Sequence, residues 1–421
     1  MSFNVAAFSF ISAVIAFAVQ IWLIRNPSIV SKEVHVDGDF EPGFDGVVEA
    51  FRKNLQYNWE REGGALTVYH KGRKVVDIWG GFADKSVKRL WKRDTLSIAF
   101  SCSKAIGAIV IAKLVDDGYV RYDDPLVKFW PEFGQNGKEN ITLRWLMGHK
   151  AGLAYTTEEI TLEIAKDHKK IDRTPNWIPG TENGYHAVTY GWLVDAVVRR
   201  VDPKKRTVGV YFKEEIADKH SIDFHLGLPV CEQHRVARIA RPSFTDVFND
   251  YFYSPGDVNI YRFIHDKLTG GIFTKVQKSN PFLEFVDAFT LNDPELHRLE
   301  QVAVLGIGNA RSMALAFELL RRNEIISREG VQKMTSNYTM WPDVVTGALV
   351  ARGQGLMKSI IKHKGQEIAA YGHSGYGGQN LRIDFEHELT FAYISNGLKL
   401  GFGDTAKTYK KLTEAIYEVV L

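Results

Sequence analysis

The stretch that most constrains the fold begins at Phe100 and is apolar almost all round from Ala105 to Val115. An α-helix that is hydrophobic on every side is stable in water only when other elements surround it. The chain has 421 residues, which is long enough for a large core and for two sub-structures. The sequence therefore predicts a large domain that is built around one buried helix.

A serine and a lysine, Ser101 and Lys104, stand three residues apart at the start of this helix. Positions i and i+3 share a helix face, so the lysine can lie over the serine. A serine hydroxyl becomes a nucleophile when a base takes its proton, and a buried lysine amine that stays neutral is such a base. Free backbone N–H groups at the first helical turn also favour a developing oxyanion. The pair predicts a nucleophile beside its base.

The same Ser-x-x-Lys pattern occurs again at Ser359 and Lys362. This second copy lies in an extended run that ends at a turn, His363-Lys364-Gly365. Successive side chains of a strand point to opposite faces, so this serine and lysine are expected to point apart. Only the first copy is predicted to be chemically competent.

Composition excludes several classes of function. The 53 Lys+Arg and 50 Asp+Glu residues give a formal charge of +3, and no basic block suggests a nucleic-acid partner. Cys102 and Cys231 are the only cysteines, which rules out a disulfide framework and a cysteine-based zinc site, and we expect both thiols to be free. The thirteen histidines contain no His-Glu-x-x-His pattern, and no phosphate-binding glycine loop is evident. We expect no metal and no cofactor.

Residues 3–24 form an uncharged, mostly apolar run that Arg25 and Pro27 close. About 20 such residues are enough to cross a bilayer as a helix. A cleaved signal peptide followed by secretion is the alternative, because Ala16-Phe17-Ala18 has the small-x-small form of a cleavage site. No basic segment precedes the run, however, and it continues past that site. We expect residues 1–25 to be an uncleaved, single-pass membrane anchor.

The rest of the chain is predicted to combine a sheet with an inserted helical region. A polar linker is expected at residues 26–43 and one large domain, which contains Ser101 and Lys104, at residues 44–421. Strand patterns occur near both ends of this domain, which indicates one antiparallel sheet flanked by helices. The predicted boundaries are a sheet sub-domain at residues 44–122 and 350–421 and a mainly helical insert at residues 123–349.

Within the sheet sub-domain, residues 44–58 are expected to be a helix and residues 65–69 and 74–79 a β-hairpin. Four late strands are expected at residues 356–362, 366–371, 379–384 and 389–395. A final helix from about residue 405 carries an apolar stripe, and Asp404 is its predicted N-cap.

Several further motifs accompany Ser101 and Lys104 in a fixed order. They are Trp91 with Asp94-Thr95, Trp130-Pro131-Glu132-Phe133, His149-Lys150-Ala151-Gly152-Leu153, Pro179-Gly180 with Tyr185-His186-Ala187, and His373-Ser374-Gly375. With these motifs the chain resembles the serine β-lactamase-like hydrolases, of the class C β-lactamase, D-alanyl-D-alanine peptidase and family VIII carboxylesterase type. The resemblance runs from about residue 44 to the C-terminus. It implies an α/β (α+β) fold of the β-lactamase/transpeptidase type.

The resemblance implies that Tyr185 lies beside the serine and lysine and shuttles the proton with Lys104. The β-lactamase pattern at this point is Tyr-x-Asn, whereas here it is Tyr185-His186-Ala187. The missing asparagine amide puts recognition of β-lactams and peptides in doubt and leaves ester hydrolysis unaffected. The chain therefore looks most like the esterase branch. Tyr190 is the fallback candidate for the tyrosine, and it is expected to be structural.

His373-Ser374-Gly375 matches the Lys-Thr-Gly triplet of the family, which esterase-like members often carry as His-x-Gly. The resemblance places this strand along the edge of the active site, with the Tyr376 N–H beside that of Ser101 as the second oxyanion donor. Gly375 lets the substrate approach the backbone. His373 either binds the substrate or positions Tyr185, and the sequence does not choose between these roles. His149 is given no chemistry.

The sequence as a whole predicts a membrane-anchored serine hydrolase that acts on a small ester or amide through an acyl-enzyme. A peptidase or true β-lactamase is one alternative. A catalytically inactive scaffold that keeps the fold is another.

Overall fold

A computed structural model describes residues 33–166, 174–253, 260–283, 289–400 and 403–421. The predicted membrane anchor at residues 1–25 lies outside these residues. Among the helices that are described, none combines the length and the apolar character that crossing a bilayer requires.

Within this part of the chain, strands and helices alternate irregularly along the sequence. The strands are β1 (Val36–Phe40), β2 (Gly63–His70), β3 (Arg73–Asp84), β4 (Arg89–Leu90), β5 (Ser97–Ile98), β6 (Phe224–His225), β7 (Ile307–Gly308), β8 (Thr339–Pro342), β9 (Leu349–Arg352), β10 (Met357–His363), β11 (Gln366–Ser374), β12 (Asn380–Asp384) and β13 (Leu389–Ser395). The helices are α1 (Asp45–Gln56), α2 (Ser103–Asp116), α3 (Leu143–Met147), α4 (Leu162–Lys166), α5 (Thr189–Val201), α6 (Val208–Phe212), α7 (Asp218–His220), α8 (Phe244–Tyr253), α9 (Ile260–Thr269), α10 (Ile272–Lys278), α11 (Pro294–His297), α12 (Ala310–Arg321), α13 (Arg328–Met334) and α14 (Lys407–Val420).

The main sheet joins the two ends of the domain. Its strand order is β1-β3-β2-β13-β12-β11-β10-β9-β8, with β4 paired to β3. Strand β2 pairs antiparallel with β13, so that Gly64 faces Ser395 and His70 faces Leu389. Strands β10 to β13 follow one another as an antiparallel meander. The predicted antiparallel sheet, with strands from both ends of the chain, is confirmed.

Helices cover both faces of this sheet. On one face α1 and α14 pack together over an apolar cluster that includes Phe51, Leu412 and Ile416. On the other face α12 contacts β2, β12 and β13. Helix α2 lies in the largest apolar cluster, and its residues from Ser103 to Ala112 are buried. The prediction of a central buried helix is confirmed.

Asp404 does not cap the C-terminal helix. Helix α14 begins at Lys407 after an Ala406 N-cap that makes no side-chain cap bond. Asp404 instead accepts hydrogen bonds from Ser359 Oγ at 2.6 Å and Asn380 Nδ2 at 2.9 Å, and its carboxylate pairs with Arg382 at 2.6 Å. The Arg382 side chain is fully buried, and a buried cation without an anion is costly, so the carboxylate is drawn to the sheet.

Three local features differ from the sequence prediction. Residues 36–40 of the expected linker form β1, which pairs with β3 at the edge of the sheet. The expected helical insert contributes β8, which forms a hairpin with β9 and extends the other edge. A separate three-stranded sheet, in the order β5-β7-β6, ties the segment before Ser101 to the insert. These strands have five residues or fewer, too few for alternation of side chains to give a clear signal.

Candidate active site

Ser101 lies in a single 3₁₀ turn, Phe100–Cys102, that leads into α2. The sequence predicts the first turn of the α-helix itself, and the structure places the serine just before it. The turn is held from both sides, because Ala99 N–H donates to Gly306 O at 2.8 Å and Gly306 N–H donates to Ser103 Oγ at 2.9 Å. Phe100 has a φ of 47°, in the left-handed region that side chains seldom occupy. Such strain is found where a tight turn presents a functional side chain.

Lys104 lies over Ser101 as the spacing predicts. Its Nζ is 3.4 Å from Ser101 Oγ and donates to the carbonyl oxygens of Ala187 at 2.8 Å and Ala303 at 2.9 Å. A neutral amine has two N–H groups and one lone pair. With both N–H groups on carbonyls, its lone pair is directed to the serine. Burial, helped by the charge of Arg352, holds the pKa of Lys104 well below the usual lysine range.

Tyr185 completes the group. Its phenol O–H donates to Ser101 Oγ at 2.6 Å. Lys104 Nζ is 4.7 Å from the centre of the Tyr185 ring. Burial raises the pKa of Tyr185 above its usual range, which keeps the phenol protonated at rest. The three side chains that the sequence proposes therefore lie together.

Two histidines fix the loop that carries Tyr185. His186 Nε2 accepts from Leu153 N–H at 2.9 Å, and its Nδ1 lies 2.6 Å from Gly184 O, which requires a proton on Nδ1. His149 Nδ1 accepts from His186 N–H at 3.1 Å, and the His149 ring centre is 5.0 Å from that of Tyr185. Burial lowers the pKa of His149 well below its usual range, so the ring is neutral. The sequence analysis places His149 in a motif and gives it no chemistry. In the structure it holds the loop of Tyr185 and is not itself in the reacting group.

The strand that carries the His-x-Gly triplet runs beside the serine turn. A Cβ at Gly375 would lie 2.8 Å from Ala99 O, so only glycine lets β11 approach this closely. Cys102 Sγ donates to His373 O at 3.3 Å, and the rings of Phe100 and Tyr376 meet edge to face at 5.8 Å. Gly375 and Tyr376 are thereby held against the turn of the nucleophile.

His373 is buried, with 3% of its surface exposed. Its Nδ1 lies 2.6 Å from Ser374 O, which places the proton on that nitrogen. Its Nε2 has no hydrogen-bond partner within the described part of the chain, and the ring centre is 6.2 Å from that of Tyr185. Burial lowers the pKa of His373 well below its usual range. The position therefore holds a neutral acceptor rather than a cation.

One charged group at the site had no sequence signal. Arg352, at the end of β9, places its guanidinium carbon 5.0 Å from the centre of the Tyr185 ring. It pairs with the buried carboxylate of Asp343, and its Nη1 donates to Asn183 Oδ1 at 3.2 Å. These residues come from distant parts of the chain and form no motif.

Other candidates lie elsewhere or have structural roles. The phenol of Tyr190 is within 3.5 Å of Lys104 O and serves packing, as expected. On β10, Ser359 donates to Asp404, and Lys362 pairs with Glu367 at 3.2 Å. The second Ser-x-x-Lys is therefore not a catalytic pair. Both thiols are free, as predicted, and burial raises the pKa of Cys102 to about 12.

The neighbouring acidic residues Asp123 and Asp124 have structural roles. Asp123 binds Arg144 at 2.7 Å, and Asp124 caps a turn at Arg121. In the described ranges no group of three or more His, Cys, Asp or Glu side chains is arranged to hold a metal ion.

Comparison with known proteins identifies the family of this chain. The family model described as "Beta-lactamase" matches residues 51–415, which is most of the chain. The chain belongs to the β-lactamase family. It is an enzyme of that family, with the β-lactamase-like fold and the chemistry of a serine hydrolase.

Individual members of the β-lactamase family resemble this chain over most of its length. "Esterase/beta-lactamase LipL" of Mycobacterium tuberculosis (strain ATCC 25618 / H37Rv) is 30% identical over 382 residues, covering 86% of this chain and 83% of that protein. A family VIII carboxylesterase of known structure is 28% identical, with a TM-score of 0.78 over 91% of this chain and 100% of that one. A penicillin-binding protein homologue from Caulobacter crescentus is 29% identical, with a TM-score of 0.75 over 91% of this chain and 100% of that one.

Proposed function

We propose that this enzyme is a carboxylesterase that forms an acyl-enzyme on Ser101. The observation that carries the proposal is the position of Ser101 Oγ, 2.6 Å from the phenol of Tyr185 and 3.4 Å from the amine of Lys104. One neutral base and one neutral acid then contact the same hydroxyl. This is the arrangement that nucleophilic catalysis requires.

Acylation begins when the Ser101 proton moves to the lone pair of Lys104 and Oγ bonds to the ester carbonyl carbon. The negative charge passes to the carbonyl oxygen, which the backbone N–H groups of Ser101 and Tyr376 are proposed to hold. The tetrahedral intermediate then collapses. The bond to the alcohol oxygen breaks, the phenol of Tyr185 gives its proton to that oxygen, and the Lys104 ammonium re-protonates the phenolate.

Deacylation repeats these roles, with water as the nucleophile and Ser101 Oγ as the leaving group. The neutral Lys104 takes a proton from water as its oxygen attacks the acyl carbon. Ser101 Oγ then leaves and recovers a proton from Tyr185, which is re-protonated by Lys104. The products are the carboxylic acid and the free enzyme, with every proton accounted for.

Two observations favour an ester over a β-lactam or a peptide. Ala187 offers only its carbonyl oxygen, which accepts from Lys104, and it has no side-chain amide for an acylamide group. A relative named as a carboxylesterase covers 91% of this chain, and one named "Esterase/beta-lactamase" covers 86% of it. A peptidase or β-lactamase remains the second candidate, because a penicillin-binding protein homologue shares the fold at 29% identity.

We expect the full chain to hydrolyse a short-chain aryl ester at least about 100-fold faster, in kcat/KM, than a chromogenic cephalosporin. The reason is that each missing hydrogen bond of a recognition site costs about 1–3 kcal/mol. Parallel initial-rate measurements on the two substrates test this expectation, and preferential turnover of the cephalosporin would contradict it.

A fluorophosphonate should form its covalent adduct on the peptide that contains Ser101. Peptide mapping by mass spectrometry locates the adduct, and Ser359 provides an internal control because it stands in the same Ser-x-x-Lys pattern. An unlabelled protein would favour an inactive scaffold. Labelling at Ser359 would place the nucleophile elsewhere.

We also propose that residues 1–25 anchor the enzyme in a membrane as a single span. The support is the apolar run at residues 3–24, which continues past the small-x-small site at residues 16–18. The full chain should stay in the membrane pellet after alkaline carbonate extraction. Replacing Val14 and Ile15 together by arginine should release it, since each central arginine costs about 2.5–3.5 kcal/mol.

The mass of the mature chain distinguishes the two fates of this segment. An intact N-terminus is expected for an anchor. A chain shortened near Ala18, found in the soluble fraction, would instead support secretion after cleavage.

A further inference from the structure

Arg352 is a buried cation that the proposed reaction does not yet use. Its side chain is 5% exposed, and its guanidinium carbon lies 5.0 Å from the centre of the Tyr185 ring. Burying a cation is costly unless close partners offset the cost. An arginine in this position therefore calls for a reason beyond packing.

The clamp around Arg352 fixes its orientation. Asp343 pairs with Nη1, and Asn183 Oδ1 accepts from the same nitrogen at 3.2 Å. Asp343 also accepts from the backbone N–H groups of Val345 at 2.9 Å and Thr346 at 2.7 Å. The Asp343 carboxylate is thereby shared between Arg352 and the backbone of the turn at residues 343–346. The arginine is held through Nη1 while its partner is shared with other donors.

The other groups that face Tyr185 carry little charge in the resting enzyme. His149 and His373 are neutral because burial lowers the pKa of each, and burial raises the pKa of Cys102 to about 12, which keeps its thiol protonated. Lys104 is neutral at rest for the same reason as the histidines.

The remaining charges near Tyr185, within the described chain, are those of Arg352 and Asp343. Arg352 lowers the pKa of Tyr185 and Asp343 raises it, and the effect of Arg352 is the larger of the two. The net field of the pair at the phenol is therefore positive.

We propose that Arg352 is a positioning residue that stabilises Tyr185 as a phenolate at the moment when its proton passes to the leaving alcohol. This inference rests on the proposed esterase function and names the substrates that depend on it. The structural basis is the guanidinium held by Asp343 and Asn183 against the tyrosine ring. A cation over an aromatic face is attracted by the ring itself, and more strongly once the ring is anionic.

The step balances as follows in the tetrahedral intermediate. The bond between the former carbonyl carbon and the alcohol oxygen breaks, and its electron pair goes to that oxygen. The Tyr185 proton joins the same oxygen, and the negative charge stays on the Tyr185 oxygen. It remains there until the Lys104 ammonium delivers the proton that it took from Ser101. Arg352 acts during the interval between these two transfers.

The proposal makes a prediction about leaving groups. An aliphatic alkoxide is a strong base and departs only when it is protonated, whereas p-nitrophenolate departs without a proton. Loss of the Arg352 charge should slow the alkyl ester and spare the aryl ester. A general loss of structure would slow both, so the ratio of the two rates separates the roles.

The experiment compares kcat/KM of the full chain for p-nitrophenyl butyrate and for ethyl butyrate. The principal variant is Arg352→Met combined with Asp343→Asn, which removes both charges and keeps an Oδ1 acceptor for Val345 and Thr346. We expect the rate on ethyl butyrate to fall about tenfold or more, since one pKa unit is worth a factor of ten. Because Arg352 also lowers the pKa of Lys104, both esters are measured on the alkaline plateau of each enzyme's pH profile, where Lys104 is neutral. There the rate on the p-nitrophenyl ester should change by less than about threefold.

Two further variants guard against a folding defect. Arg352→Lys retains the charge and should keep most of the wild-type ratio of alkyl to aryl rates. Asp343→Asn alone removes the opposing charge, and its ratio should be equal to or above the wild-type value. An equal loss on both esters, no loss on either, or a fall in the ratio for Asp343→Asn would overturn the proposal.

The outcome is separable from a failure of the esterase assignment. If wild-type enzyme hydrolyses both esters and the ratio does not respond to Arg352, only the present inference fails. If wild-type enzyme hydrolyses neither ester, the proposed function fails, and with it the role that this inference gives to Arg352.

Discussion

Replacing Ser101 with alanine should lower kcat/KM for an aryl ester by about 10⁴-fold or more, which corresponds to about 5.5 kcal/mol of transition-state stabilisation. The substitution removes the Ser101 oxygen that contacts both Tyr185 and Lys104, and among the described residues no other group takes its place. Ser101 is only half-buried and precedes the helix, so the fold should be preserved. The measurement is initial-rate kinetics, with a thermal melt to verify folding.

The chain offers a matched control for this variant. Ser359→Ala makes the same change in the second Ser-x-x-Lys pattern, where the hydroxyl donates to Asp404 and not to a lysine. Its activity should stay within about twofold of wild type, because this half-buried hydrogen bond contributes about 1 kcal/mol to folding and touches no reacting atom. Full activity in Ser101→Ala would show that the nucleophile lies elsewhere.

Replacing Lys104 with methionine should cost about 10²–10⁴-fold in kcat/KM, the usual contribution of a general base. Methionine has a similar length and no charge, so it fits the buried space between the carbonyls of Ala187 and Ala303 while removing the lone pair. Lys362→Met is the matched control, because this lysine is exposed on β10 and pairs only with Glu367. A Lys104→Met enzyme with wild-type rates would contradict the proposed base.

The same lysine sets the pH dependence. Its pKa is held well below the usual lysine range by burial and by the charge of Arg352. The active form is the neutral amine, so activity is present above this lowered pKa and is lost as the pH falls through it. The acid limb of kcat/KM should therefore lie well below about 10.4, the value of a free lysine, and it should be absent from the residual activity of Lys104→Met. An acid limb near that value would mean that the amine is charged at rest.

Much of the site follows from sequence because its key contacts are local or are tied to short motifs. Ser101 and Lys104 are one helical turn apart, so the spacing alone brings them together. A glycine is required at position 375, where β11 contacts the serine turn, because a side chain there would clash with Ala99 O. This requirement can be recognised in the sequence as the glycine of the His-x-Gly triplet. The alternating and helical patterns likewise predict the strands β10 to β13 and the helix α14, because each is long enough to repeat its period.

The parts that the sequence did not predict depend on contacts between distant residues. Arg352 reaches Asp343 through a hairpin and Asn183 across 169 positions, and no spacing rule connects them. The link between His149 and His186 is a backbone hydrogen bond to a ring nitrogen, which depends on a tautomer that sequence does not record. The sequence prediction of Asp404 as a helix cap is wrong because its carboxylate pairs with the buried Arg382 on β12 and not with the helix end.

The pairing of β2 with β13 has a consequence for biosynthesis. Gly64 finds its neighbour at Ser395, so the middle of the sheet forms only after more than three hundred intervening residues have left the ribosome. Until then the open side of β2 exposes unpaired N–H and C=O groups, a template for pairing with other chains. Closing so long a loop is slow, because its entropy is lost before any contact compensates for it. Nascent copies of this enzyme should therefore depend on chaperones, and a chain that terminates before residue 389 should aggregate rather than retain partial activity.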